Sequence, residues 1–311
     1  MSDSKMQISN IKNSSVIIRN LHLICVPLLL ILQTTSSSAL DNAFTQSPYN
    51  YIYLNPAYAG VEGAHVIKQH IRSQWSNTIL TTTLSYDHYL DSLNSGIGIL
   101  IELDQLSDLL KNYKGRFSYA YRINIEKEHH INFGISAGLD YYDWTLRFGP
   151  NNPGEGFTST KVFKTAGDFG AGIFYRFRGL LAGVSISHLY YTEINTNNLI
   201  LKNFTNSPLY SIIIGYKIQM GSAACFIPTI RYFSQDGRAL SDVNTTVELF
   251  DRVIIGAAYH ENRLAFITGL KLMDQLRLTY SFDYFINLLG SNTAHEFGLR
   301  FSPQLNNNSI Y

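Results

Sequence analysis

The side chains from which chemistry would have to be built are nine histidines, 23 carboxylates and 24 lysines and arginines. Their spacing does not assemble them. His129-His130 follows Glu126-Lys127-Glu128 in what reads as a tight turn, and His65 and His70 stand five apart on opposite faces of an extended segment. Neither pair has the spacing of metal ligands. A serine hydrolase on a β scaffold needs a serine, a histidine and an orienting polar group within mutual reach. Ser187 and His188 are sequence neighbours, as are His295 and Glu296, and neighbours on a strand point to opposite faces. No glycine-rich phosphate loop and no paired-carboxylate signature is present. These residues imply no catalytic group, no metal and no cofactor. Arg72, Arg122, Asp140, Arg176, Lys217, Arg277 and Asp283 fall on the polar side of alternating segments. They suit ion pairing across a closed interior better than a ring selective for ions.

The elements that carry these residues have a period of two. Ile131, Phe133, Ile135, Ala137, Leu139 and Tyr141 alternate with Asn132, Gly134, Ser136, Gly138 and Asp140; Leu276 to Tyr284 repeats the pattern. This is strand periodicity. About 14 such segments follow residue 63: 64–75, 79–90, 96–104, 116–125, 130–142, 168–178, 179–188, 209–219, 223–234, 243–250, 252–260, 263–272, 275–285 and 294–302. Many run to the roughly 9 to 11 residues that span a bilayer, against five or six for soluble strands. Links after odd segments include long ones, at 105–115, 143–167, 189–208, 234–242 and 286–293, whereas those after even segments are nearly all short. An up-and-down barrel in an outer membrane has short turns at one end and long loops at the other. The expected fold is therefore all-β, a closed antiparallel up-and-down transmembrane barrel. Its strands run within 64–302, with a tail at 303–311.

Composition agrees. Charged residues make up 15% of the chain, with 21 tyrosines and 18 phenylalanines against two tryptophans. That suits pleated surfaces and membrane interfaces. A net charge of +1 gives no reason to expect nucleic acid. Residues 1–39 read as a secretory signal: Lys5, Lys12 and Arg19 precede an apolar run from Leu21 to Leu32, and Ser37-Ser38-Ala39 offers a cleavage site. The run is short of the roughly 20 residues of a spanning helix. Cys225 is then the one cysteine of the mature chain, so no internal disulfide can form.

Between signal and first strand, 40–63 is a lead-in containing Asn55-Pro56-Ala57-Tyr58-Ala59-Gly60. Pro56 restricts its own φ and biases Asn55 to extended backbone, and Gly60 permits a turn. By local chemistry this is a turn before a strand. The six residues also resemble the "NPAYAG" signature of the PorP/SprF family, outer-membrane proteins of the Bacteroidetes type IX secretion and gliding system. Phe44 to Tyr49 is similar to the family's lead-in, Arg72-Ser73-Gln74-Trp75 to its Arg-x-Gln-Trp, and His295 to Phe301 to its closing strand. The resemblance implies a non-enzymatic barrel, exported to the cell outer membrane and seated in its lipids, that attaches secretion or gliding machinery. Implied partners are the periplasmic lipoprotein ring, a peptidoglycan-binding adaptor and a secreted surface adhesin. Asn55, Pro56, Ala57, Tyr58, Ala59, Gly60, Arg72, Gln74 and Trp75 are the candidate partner-binding residues. The motif precedes strand one, so it is expected at the periplasmic mouth, folded into the lumen as a plug or meeting a partner. The alternative function is a passive porin-like or hydrophobic-solute channel. Amino-terminal sequencing of the mature protein should begin close to Leu40; a chain retaining Met1 in the inner membrane would refute the export reading.

Overall fold

The structure, a computed structural model, describes residues 44–303 except 64, 76–77, 127, 149–157, 190–191, 195–203, 261 and 287–292. The expected signal peptide and most of the carboxy-terminal tail lie outside these residues. Among the described residues, seventeen strands follow an irregular lead-in. They are β1 (Val66–Gln74), β2 (Ile79–Leu90), β3 (Ser95–Leu106), β4 (Leu110–Glu126), β5 (His129–Phe148), β6 (Thr158–Phe177), β7 (Leu180–Ser187), β8 (Thr192–Ile194), β9 (Phe204–Asn206), β10 (Leu209–Tyr216), β11 (Ile218–Met220), β12 (Ala224–Gln235), β13 (Arg238–Leu249), β14 (Val253–His260), β15 (Arg263–Met273), β16 (Leu276–Phe285) and β17 (Thr293–Phe301). β8 and β9 pair only with each other, and β11 prolongs β10 along β12. The other fourteen form one antiparallel ring, with β1 paired to β17 and β10 paired to β12. Closure leaves no sheet edge around the ring, as a bilayer requires.

The ring is inside out relative to a soluble barrel. Ile135 and Phe266 are 63% and 67% exposed on the outer wall, while Lys68, Arg72, Asp87 and Glu296 are buried on the inner one. That inversion decides for the membrane barrel over a soluble sandwich. Among the described residues, no helix is long and apolar enough to cross a membrane.

Each expected segment has its strand, but several boundaries need correction. β4, β5 and β6 run for 17, 20 and 20 residues, through stretches expected as links at 105–115 and 143–167. Outside lipid the outward side chains need not be apolar, so the pattern fades while backbone pairing continues from Leu110 to Trp144 and from Phe148 to Thr158. The inward Trp144 donates from Nε1 to Asn112 Oδ1 at 2.8 Å across this extension. The expected link 234–242 is a two-residue turn, Asp236-Gly237, with φ of 53° and 73°. Asp-Gly with both residues at positive φ is the favoured tight hairpin. The asymmetry between the two ends therefore rests on the links at 149–157, 188–208 and 286–292 and on the long β4–β6 hairpins.

In a Cys225→Ser background, cysteines at Asp108 and Asp236 should react with an impermeant thiol reagent on intact cells, and one at Glu128 should not. Equal labelling of all three would refute the assigned orientation.

Candidate functional site

Residues 44–63 lie inside the barrel as a strap. Three one-turn 3-10 helices, Ser47–Tyr49, Tyr51–Tyr53 and Pro56–Tyr58, bend it into successive corners. The third corner follows directly from the motif. Pro56 supplies the fixed φ of a first helical residue, and Asn55, extended at φ −142° and ψ 115°, accepts the Ala57 N–H on Oδ1 at 2.9 Å. Gly60, at φ +69°, turns the chain toward β1.

The wall is shaped to receive these corners. One row across five strands carries only small inward residues, Ala120, Gly134, Gly172, Ser185 and Ser211, in direct register. A Cβ at Gly134 would overlap the Ala57 backbone, and one at Gly172 would overlap the Asn55 side chain. At Gly134 main chain meets wall with no side chain between them, and at Gly172 the glycine makes room for the Asn55 amide. The Asn55 Nδ2 donates to the carbonyls of Ile173 and Val184 at 3.1 and 3.2 Å. Ser185 donates to Leu54 O at 2.7 Å, Asn132 to Ala57 O at 3.1 Å and Arg122 to Gly60 O at 2.9 Å. The carbonyls of Leu54, Ala57 and Gly60, which would each cost about 1–3 kcal/mol unmet, are thus met by the barrel. Tyr51 and Tyr58 close on Phe174 with ring centroids 6.2 and 5.0 Å away, inside an apolar cluster with Ile52, Leu54, Leu181, Ile213 and Phe233.

Both ends of the strap are held by buried charge. At the amino-terminal end, the Thr45 and Gln46 N–H groups donate to the two Glu296 oxygens at 2.9 and 3.1 Å, and the Thr45 hydroxyl donates to Asp283 at 2.6 Å. Arg72 neutralises this pair, with Nη1 2.7 Å from Asp283 and 3.3 Å from Glu296. At the other end the strap itself supplies the anion. Glu62 pairs with Lys68, and with Arg300 at 2.8 Å, and accepts the Tyr58 hydroxyl at 3.1 Å. Burial by itself raises the Glu62 pKa, but Lys68 and Arg300 outweigh it and hold the carboxyl down at about 2. Burial, with Glu62 beside it, pushes the Tyr58 phenol well above its ordinary value, so it stays a donor.

Of the nine candidate residues, Asn55 to Gly60, Arg72 and Gln74 are buried, with Arg72 in contact with the strap through Thr45 at 3.4 Å. Trp75 stands apart, in the turn after β1, with its ring 6.3 Å from Phe285. The interior pairing expected of the polar face is present at Arg72–Asp283 and at Arg277–Glu248, 3.1 Å apart. Lys217 instead falls between β10 and β11. His295 and Glu296 face opposite ways as expected, the first to Tyr280 outside and the second to the strap. Ser187 and His188 do not. His188 has φ +56°, which breaks the alternation and lets its Nδ1 come within 3.1 Å of the inward Asp168. With Asp140 these two bring possible ligand atoms within 4.8 Å of one another. Asp168 already carries Arg116, at 2.7 Å, on its other oxygen, so the cluster is an ion-pair network of the lumen wall. The sequence reading missed Thr45, Gln46 and Glu62; the acid in Gly60-Val61-Glu62-Gly63, whose one charged companion in the lead-in is Asp41, was the available signal.

A closed ring with an apolar outer wall and a strap-filled lumen defines an outer-membrane β-barrel. Solved structures with this fold include the TodX monoaromatic hydrocarbon channel mutant deltaS2S3, with TM-score 0.50 and 9% identity over 86% of this chain and 94% of that one. Others are a Pseudomonas aeruginosa FadL homologue, at 0.48 and 10% over 80% and 92%, and Acinetobacter baumannii Omp33, at 0.48 and 7% over 78% and 99%. At such identities the likeness is one of fold alone. No curated protein sequence matches the chain. Residues 36–301 match the family described as type IX secretion system membrane protein PorP/SprF, and the chain belongs to that family.

Acid should loosen the carboxy-terminal end of the strap. Glu62 has a folded pKa below its ordinary value of 4.5, so its contribution is complete above 4.5 and is lost as pH falls toward about 2. Once corrected for the intrinsic pH dependence of amide exchange, the protection of Tyr58 to Gly63 should fall away through that window. Glu62→Gln removes the acid that directly pairs both Lys68 and Arg300, a cost of about 3–5 kcal/mol. It should speed exchange there already at neutral pH and abolish the acid step in this stretch.

Proposed function

We propose that this chain is a non-enzymatic platform of the outer membrane that anchors type IX secretion or gliding machinery. In this reading it contacts the periplasmic lipoprotein ring and a peptidoglycan-binding adaptor, and it assists export or surface attachment of a secreted adhesin. The supporting observation is the strap: twenty residues with their own corners, small-residue seat and ionic anchors occupy the space a passive channel would leave to solute. Membership of the PorP/SprF family supplies the machinery.

The motif acts indirectly in this reading. Its residues are buried, so they fix the shape of the periplasmic mouth rather than present a surface. Gly60 lies against Gly96, His88 and Tyr89, and Tyr89 N–H donates to Gly63 O at 3.0 Å. The strap thereby ties down the end of β2 and the turn Asp91–Leu93 that faces the periplasm in the assigned orientation.

The double variant Asn55→Ala, Pro56→Ala tests this. It should remain a heat-modifiable, membrane-inserted barrel of normal abundance, while capture of periplasmic partners, and with it secretion or gliding, falls severalfold or more. Wild-type barrels in planar bilayers should show no steady open-channel current. Normal capture and secretion by the variant would overturn the platform reading, and steady wild-type conductance would favour the hydrophobic-solute or porin-like channel.

A further inference from the structure

The outer wall directly behind the strap's seat carries a groove of about 670 Å³. Its geometry follows from one cross-strand row of outward residues, Tyr119, Ile135, Ala171, Ile186 and Tyr210, each in register with the next. Ala171 is the small residue in the middle of that row, and the missing side chain makes the depression. Ile135 and Ile186 flank it in the row, Phe133, Ile173 and Val184 wall it on the neighbouring row, and the two tyrosines close its ends. The floor is main chain at Gly134 and Gly172, which have no side chain on the lumen side because the strap lies there. Its lining is almost wholly apolar.

We infer that this groove holds one acyl chain of a glycerophospholipid from the periplasmic leaflet. The argument starts from solvent. Water does not drive association inside hydrocarbon; packing does, so a concave site of fixed shape gains contacts that a flat wall cannot offer a mobile chain. Depth selects the leaflet. Phe133 and Ile135 lie only a few residues above the β4–β5 turn, and Ile173 and Val184 only a few from the β6–β7 turn at Arg178-Gly179. Those turns are at the periplasmic end in the assigned orientation.

The site is also joined to the strap. The carbonyls that receive the Asn55 amide belong to Ile173 and Val184, whose side chains wall the groove. One layer of backbone therefore has the acyl chain on one side and the strap motif on the other. Lipid occupancy steadies the wall that Asn55 grips, and seating of the strap sets the depth of the groove.

Native mass spectrometry of the purified, delipidated barrel titrated with phosphatidylethanolamine tests the assignment. Wild type should bind one lipid distinctly more tightly than any further ones. Ala171→Phe fills the groove from the lipid side and should weaken that first binding about tenfold or more, a difference of about 1.4 kcal/mol. Ala257→Phe, an exposed outward position on β14, should leave it unchanged. Lipid should slow hydrogen exchange at Ala57 to Gly60 in wild type and in Ala257→Phe but not in Ala171→Phe. Ala171→Leu serves the same comparison if the bulkier variant fails to insert. Equal first binding in wild type and the filled variants, or equal losses at 171 and 257, would reduce the groove to ordinary annular lipid and overturn the inference. This result is independent of partner capture, so the platform reading stands or falls separately.

Discussion

The size of the ring is the constraint on which the rest depends. An eight-stranded barrel can fill its interior with its own side chains, whereas sixteen or more strands leave an aqueous channel. Fourteen strands enclose more space than inward residues alone occupy, and here many of those residues are glycine, alanine and serine. Either water or a further piece of chain must take up the difference. The strap does, and the wall residues are explained by it: small where main chain approaches main chain, amide or hydroxyl where a strap carbonyl needs a donor, charged where an end must be held. Read without the strap, the glycines at 134 and 172 would line voids, and the carboxylates at 283 and 296 would keep Arg72 but lose the Thr45 and Gln46 donors.

The two ends of the strap use opposite chemistry. At Thr45 and Gln46 the barrel provides the carboxylates and the strap provides backbone N–H groups, with Arg72 keeping the pair of acids tolerable at close range. At Glu62 the strap provides the carboxylate and the barrel the cations. Between them the hold is apolar and aromatic. Sliding the strap by one residue would misplace both ionic ends and drive side chains into the small-residue row, so its register is fixed at three separate points.

Much of the barrel was legible because lipid imposes a strict alternation on every strand it touches. Ile131 to Tyr141 and Leu276 to Tyr284 announce themselves, and the strand count follows. Legibility failed where lipid no longer constrains the pattern. The upper parts of β4, β5 and β6 read as loop because Lys111, Thr158 and Lys161 carry no such signature, although their backbones pair as firmly as those below. Asp236-Gly237 was a missed but readable turn. The motif at 55–60 was readable as a rigid corner, since Pro56 and Gly60 leave few other conformations. Its seat was not readable, because nothing local to Gly134 or Gly172 says that Ala57 and Asn55, more than seventy residues away, lie against them. Arg72 illustrates the same limit: its inward face was evident, but its partners Asp283 and Glu296 come from the far end of the chain.

Thr45 stands where the two ends of the barrel sheet come together. Its N–H reaches Glu296 across 251 positions of sequence, and the same acid is held by Arg72 of the first strand, whose register partner it is. The strap therefore sits astride the seam where β1 and β17 meet. Pairing of first and last strands is the most non-local contact such a chain makes, and contacts of that kind are the slow ones in folding. A segment that binds both sides of the seam from within ties the two strands most distant in sequence to one another. The lead-in is then a clasp laid across the first and last strands, bonded to Arg72 on one and to Glu296 on the other.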